Sequence, residues 1–180
     1  MTTTTTEATP TPSAPETETV TESPTPTETP TPTPSEDPTA LPPLPEAATE
    51  NTPEGAEAFI RYYIDVLNHL HQYPQTGEVA HFADEGCESC RNAEERIAWL
   101  IEHDAHLDGD LYELDSLTRI GGGAPGVTRF STVWLGLGPK VLARDGEILE
   151  SIPTDEFNGI MAAKWEGQSW VFYDSATSRP

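Results

Sequence analysis

The chain has 180 residues and a formal net charge of -22. Its nine Lys and Arg are scattered singly from Arg61 to Arg179, so no basic stripe exists to neutralise phosphates, which excludes nucleic acid and direct electrostatic docking on an anionic membrane. No run approaches the eighteen or so apolar residues of a membrane-spanning helix.

From Met1 to Glu46 there is one Val, two Leu, no aromatic residue and no Lys or Arg. That is too little apolar surface to offset the entropy of ordering, so residues 1–46 are expected to form a disordered acidic stalk. Alternating Thr and Pro from Pro30 to Pro34 fix φ near the polyproline value, and a stretch of some forty-five residues in that state reaches roughly 140 Å at most. Every Trp, Tyr, Phe, Cys and basic residue follows Thr52. Residues 47–180 are therefore expected to form a single domain with one core.

Thr52-Pro53-Glu54 reads as a helix start, with Thr as N-cap, Pro at the first position and an acid near the positive end of the dipole. Ala56, Phe59, Ile60, Tyr63, Val66, Leu67 and Leu70 follow at three- and four-residue steps, one face over about four turns. Pro74 and Gly77 end it. A shorter second helix is expected through Val79, Ala80 and Phe82, stopped by Gly86. A third carries Cys90, Ala93, Ile97, Leu100 and Ile101 inward, with Cys87 at or before its first turn.

After Gly109 the period becomes alternating, in Tyr112 to Asp115 and again in Val127 to Trp134. Asp145-Gly146 has type I′ hairpin chemistry, and Glu166-Gly167-Gln168 separates a strand from Ile160 to Trp165 from one at Trp170 to Tyr173. The expected fold is α+β: three N-terminal helices packed on a curved antiparallel sheet of four or five strands, cone-like, preceded by the stalk.

Gly55-Ala56-x-Ala58-Phe59-x-x-Tyr62-Tyr63-x-x-x-Leu67-Asn68, Thr76-Gly77-Glu78, Cys87-x-x-Cys90 and Trp165-x-Gly167-x-x-Trp170 together resemble an actinobacterial family of uncharacterised surface lipoproteins, over about residues 42 to 175. The resemblance implies a signal peptide and lipid-anchoring cysteine, a Thr/Pro/Ser-rich linker and then this domain, with an element order similar to the nuclear transport factor 2-like superfamily. The chain departs from that pattern at Tyr73-Pro74-Gln75 and in showing no lipobox, so the leader is expected upstream of Met1. With Met1 as the true start, the address would be cytoplasmic instead. The family's function is unknown, so the resemblance implies a compartment and a fold but no activity.

Cys87 and Cys90 are the two cysteines of the chain. With His103 and His106 they nearly reproduce a Cys2His2 zinc spacing. The histidines stand one residue too close, Glu94 occupies the aromatic position, and no hairpin precedes Cys87. A continuous helix from Cys90 to His103 would also hold the two ends about 20 Å apart. Asp84, Glu85 and Glu88 oppose a reactive thiolate, which disfavours redox chemistry. The expectation is a Cys87–Cys90 disulfide and no bound metal or cofactor. Gly121 to Gly126 matches G-x-G-x-x-G but opens a strand, which makes it a hairpin loop and a candidate rim of a binding site.

Tyr62, Tyr63, Asp65 and His69 on the first helix, with Asp115 on a strand, are the candidates for an isomerase- or dehydratase-like alternative, although Asp65 and His69 fall on the solvated face. Trp134, Trp165, Trp170, Phe172 and Tyr173 read as cross-strand core pairs, or as an aromatic binding patch if several are exposed on one face. Bulges near Gly136, Gly138 and Gly159 leave that register open. The functional expectation is a non-enzymatic, extracytoplasmic domain at the cell surface. It would bind an envelope protein or a small apolar ligand and meet the membrane only through an anchor or leader. A zinc-stabilised domain is the third reading.

Overall fold

The computed structural model describes residues 1–2 and 37–178. The chain divides between residues 32 and 33, and everything that follows concerns the C-terminal part. Residues 3–36 of the stalk expected over residues 1–46 lie outside the described residues. Beyond them, Leu41 packs against the core, and the 3-10 turn Glu46–Thr49 buries Ala48.

The first helix, α1, spans Pro53–Gln72, and the Thr52 hydroxyl accepts from the Gly55 amide at 3.0 Å, which satisfies one of the orphan N–H groups of the first turn. Its apolar stripe is buried: Ala56, Ile60, Val66 and Leu70 are wholly inaccessible. The second helix, α2, spans Glu88–Glu102 and directs Cys90, Ile97 and Leu100 inward. Its N-cap is Cys87, which is joined to Cys90 by a disulfide with Cα atoms 5.3 Å apart.

Seven strands follow: β1 (Ala105–Leu107), β2 (Tyr112–Ile120), β3 (Val127–Leu137), β4 (Lys140–Ala143), β5 (Ile148–Ser151), β6 (Thr154–Glu166) and β7 (Ser169–Ser178). They form two antiparallel sheets, one in the order β2-β3-β6-β7 and a smaller one in the order β1-β4-β5. The concave face of the larger sheet receives α1, where Tyr63 stacks on Phe172 with ring centroids 4.2 Å apart and Phe130 is almost wholly buried.

This corrects the expected architecture of three helices on one sheet. Among the described residues there are two α-helices, and the segment expected as a helix is the four-residue 3-10 turn Val79–Phe82. Too few residues separate Gly77 from Gly86 to repay the nucleation of an α-helix. The chain instead turns extended at Ala83, which bridges Phe172 in parallel while the Asp84 amide donates to the Phe172 carbonyl at 2.9 Å.

The second sheet arises because β3 ends before Pro139 and β4 leaves it to pair with β1, with Ala105 opposite Ala143 and Leu107 opposite Val141. The turn between β4 and β5 is not type I′. Only Gly146 has positive φ (86°), whereas type I′ demands it of both central residues.

Expected bulges also moved. Register shifts fall between Leu114 and Ser116, between Val141 and Leu142, and between Ala162 and Ala163. β6 passes Gly159 with unbroken pairing to β3.

The disulfide closes a short loop and should contribute about 2 kcal/mol. Reduction is expected to raise the intact mass by two hydrogens and to lower the urea midpoint correspondingly. Two free thiols in protein folded under oxidising conditions would refute the bond.

Candidate functional site

Tyr63, Leu67 and His71 recur every fourth residue along α1, and this stripe forms one wall of a cavity of about 660 Å³. Ser89, Asn92, Ala93 and Arg96 on α2 form another wall, and Trp134, Met161 and Phe172 from the concave sheet close the floor. Ile64, Leu111, Tyr112, Ile152, Ser175 and Thr177 also line it, with Glu88, Glu150 and Asp174 among its charged groups. The wall thus mixes aliphatic and aromatic side chains with nearly as many polar and charged ones. Arg96 meets Glu150 at 2.7 Å and stacks over Trp99 at 4.7 Å from the ring centroid, so its charge is already compensated.

His71 is 3 % exposed, and its Nδ1 lies 2.6 Å from the Leu67 carbonyl oxygen. A carbonyl only accepts, so Nδ1 carries the proton and donates it. Burial holds the His71 pKa below its ordinary value, with the Arg96 charge acting in the same direction and the bond to Leu67 opposing. The ring is therefore neutral and Nε2 is a bare acceptor. Burial, aided by the Glu94 charge, raises the Tyr63 phenol, and burial raises Tyr112 against the opposing charge of Arg96. All three side chains are uncharged at neutral pH.

Proton linkage follows. The unfolded chain takes up a proton on His71 near pH 6.5, the ordinary imidazole value, before the native protein does. The stability His71 contributes is fully present above about pH 6.5 and falls as the pH drops from there toward the depressed native pKa. Arg96, Tyr63, Tyr112, Glu88, Glu150 and Asp174 share the cavity with it, so the effect should be read as a difference. Urea midpoints of wild type and His71→Phe are expected to diverge in slope between pH 6.5 and 5. Parallel slopes would mean that His71 titrates normally.

A second structural feature positions the wall. Asn68 of α1, 7 % exposed, accepts from the Leu111 and Tyr112 amides, each at 3.0 Å, and donates to the Tyr112 carbonyl at 2.8 Å. It pins to α1 the corner from which Leu111 and Tyr112 reach the cavity.

The family model that matches residues 30–119 describes a family of unknown function, DUF6318, and spans half of the chain. The chain belongs to this family. The matched stretch includes α1, α2 and β1, and so both helical walls of the cavity. No curated protein matches. The chain is similar in structure to the intermembrane-space region of the chloroplast protein ARC6, with a TM-score of 0.52 at 10% identity over 72% of this chain and 98% of that one. An uncharacterised protein with a cystatin-like fold from Caulobacter vibrioides aligns with a TM-score of 0.39 at 14% identity, over 69% of this chain and 87% of that one. The first likeness shows a shared fold.

Of the candidate acid–base residues, Tyr63 alone lines the DUF6318 domain's main cavity. Tyr62 packs edge-on against Phe82. Asp65 is exposed and borders a separate hollow with Arg61, Asn68 and Asp110, and partial burial and the charge of Asp110 raise its pKa. The Nε2 of His69 lies 3.3 Å from the Thr39 carbonyl oxygen, and Asp115 is the exposed extra residue of the bulge in β2.

The four proposed zinc ligands are not brought together. Cys87 and Cys90 bond to each other, while His103 caps the far end of α2, stacked on Trp99, and His106 lies on β1. Among the described residues no group of three or more His, Cys, Asp or Glu is placed to hold a metal.

The Gly121 to Gly126 loop does not rim the main cavity: Gly123 and Ala124 border a smaller hollow with Ile160, Ala162 and Tyr173. Nor do the aromatics form an exposed patch, since Trp134, Trp170 and Phe172 are buried.

Proposed function

We propose that this DUF6318 domain is a non-enzymatic binding module of the cell envelope, whose ligand is a small, predominantly apolar molecule held in the cavity between α1, α2 and the concave sheet. The observation that carries this reading is the cavity itself. Its volume of about 660 Å³ falls within the range typical of small-molecule sites, roughly 300–1,000 Å³, and its wall combines Ile64, Leu67, Trp134, Met161 and Phe172 with neutral polar side chains and the charged Glu88, Arg96, Glu150 and Asp174. Asp65, His69 and Asp115, which an acid–base enzyme would draw inward, stand outside it.

Support for the envelope comes from the disulfide, which persists in oxidising compartments, and from the acidic Thr/Pro-rich composition of the first forty-six residues, suited to holding a domain at a distance. It also comes from the likeness of the sequence motifs to surface lipoproteins. No helix among the described residues is long and apolar enough to cross a membrane.

The neutral fluorophore N-phenyl-1-naphthylamine is expected to bind wild type with a rise in emission. Ala93→Phe, which pushes a ring into the cavity from α2, is expected to weaken binding at least tenfold while the protein still unfolds cooperatively. Absence of probe binding, or equal binding by the variant, would remove the reading. Intact cells treated with a membrane-impermeant amine reagent are expected to label the exposed Lys140, and protection of that lysine until lysis would argue against the envelope.

A further inference from the structure

His71 is a polar residue on an apolar helical stripe, and its two nitrogens have different fates. Nδ1 is turned back on α1 and donates to the Leu67 carbonyl, so the far edge of the ring, bearing Nε2, is the edge the cavity reaches. No hydrogen bond among the described residues reaches Nε2. Among the described residues the buried side-chain atoms that lack a partner are Glu94 Oε2 and Thr132 Oγ1, not His71 Nε2. This acceptor is therefore not sealed in the core but stands open where the ring lines the cavity, and a donor-bearing ligand can reach it.

The charges around it narrow the partner further. Arg96 is spent on Glu150, and the remaining ionised groups lining the cavity, Glu88 and Asp174, are acids. An anionic ligand head would meet repulsion without an available counter-charge, while a cation beside the His71 ring, which is 3 % exposed, would give up its hydration for a neutral acceptor.

We propose that the cavity selects neutral ligands that carry one hydrogen-bond donor, a hydroxyl or an amide N–H, on an otherwise apolar body, and that this donor bonds to His71 Nε2. The proposal rests on the cavity being a ligand site. His71 and Tyr63 are eight residues apart on α1, about 12 Å along its axis. A donor at His71 therefore leaves the apolar body to run along Leu67 toward Tyr63 and Phe172.

Two matched probes test it. 2-Naphthol has the donor, whereas 2-methoxynaphthalene has the same rings and only an acceptor. The ether is the more apolar of the two, so burial alone would favour it. Binding to wild type, followed through tryptophan and probe fluorescence at pH 7.5, is expected to favour 2-naphthol about tenfold. In His71→Phe, which keeps a ring of similar size, the preference is expected to vanish, the two probes binding within about twofold of each other. Equal binding of both probes to wild type would overturn the donor proposal and leave the cavity reading standing. Failure of both probes to bind would overturn the two together. Should His71→Phe fold poorly, the wild-type ratio alone decides.

Discussion

Asn68→Leu is expected to destabilise the domain by about 3–5 kcal/mol, seen as a large fall in the urea midpoint with little change in m. The two side chains have similar volume, so the substitution opens no sizeable cavity and the loss is one of hydrogen bonding. The amides of Leu111 and Tyr112 lose their acceptor and the Tyr112 carbonyl loses its donor, all at a corner where Leu111 is 9 % exposed. Each unsatisfied buried backbone group costs about 1–3 kcal/mol. Asn68→Asp keeps both accepted bonds and forfeits the donated one, so it should cost about 1–2 kcal/mol. Because Leu111 and Tyr112 both line the cavity, Asn68→Leu should also weaken N-phenyl-1-naphthylamine binding before the global transition. An unchanged midpoint would mean that the corner is held by something other than this side chain.

Asn68 also illustrates where sequence reading stops. The α1 stripe was legible because one physical cause, burial against a sheet, acts on every third or fourth residue, and Thr52-Pro53 marks where it begins. The hairpins around Asp145-Gly146 and Gly167 were legible because the turn chemistry is local. The second sheet was not. Ala105-His106-Leu107 is three residues long and becomes a strand only through pairing with β4, which no local period records. The segment Val79–Phe82 has a helical pattern but ends where β7 offers Ala83 and Asp84 better partners.

The site divides in the same way. Tyr63 was visible as part of the stripe. His71 lies on that stripe at four-residue spacing from Leu67, so a polar residue in an apolar row was the available signal, whereas His69 and Asp65 attracted notice on the opposite face. Arg96 carries no signal at all, since its role depends on Glu150, fifty-four residues away on β5 of the smaller sheet. Register was the other limit: glycines pointed to bulges, yet Asp115, Leu149 and Tyr173 are the extra residues. Asp115 is thereby left exposed on the outside of the sheet.

Gly55→Ala tests the packing of the first turn, and its sign separates two physical effects. Helix propensity alone predicts that alanine stabilises a helical glycine position by about 1 kcal/mol. The expected result is the reverse, a loss of about 3 kcal/mol, at the upper end of the usual cost of overpacking. A Cβ on Gly55 would overlap the Glu50 carbonyl oxygen and stand 2.9 Å from that of Ala47. Both are backbone atoms that no rotamer change removes, so either α1 or the Glu46–Thr49 turn must move. The turn is not free to do so, because the Glu50 carbonyl accepts from the Trp170 indole at 2.8 Å, tying it to β7. A shift would therefore break that bond and disturb the Thr52 cap on the Gly55 amide. The two sites should couple: in a Trp170→Phe background, where the tie is already gone, Gly55→Ala should cost about 1 kcal/mol less. Stabilisation by Gly55→Ala in wild type, or strict additivity in the double variant, would show that the turn yields freely and that propensity governs this position.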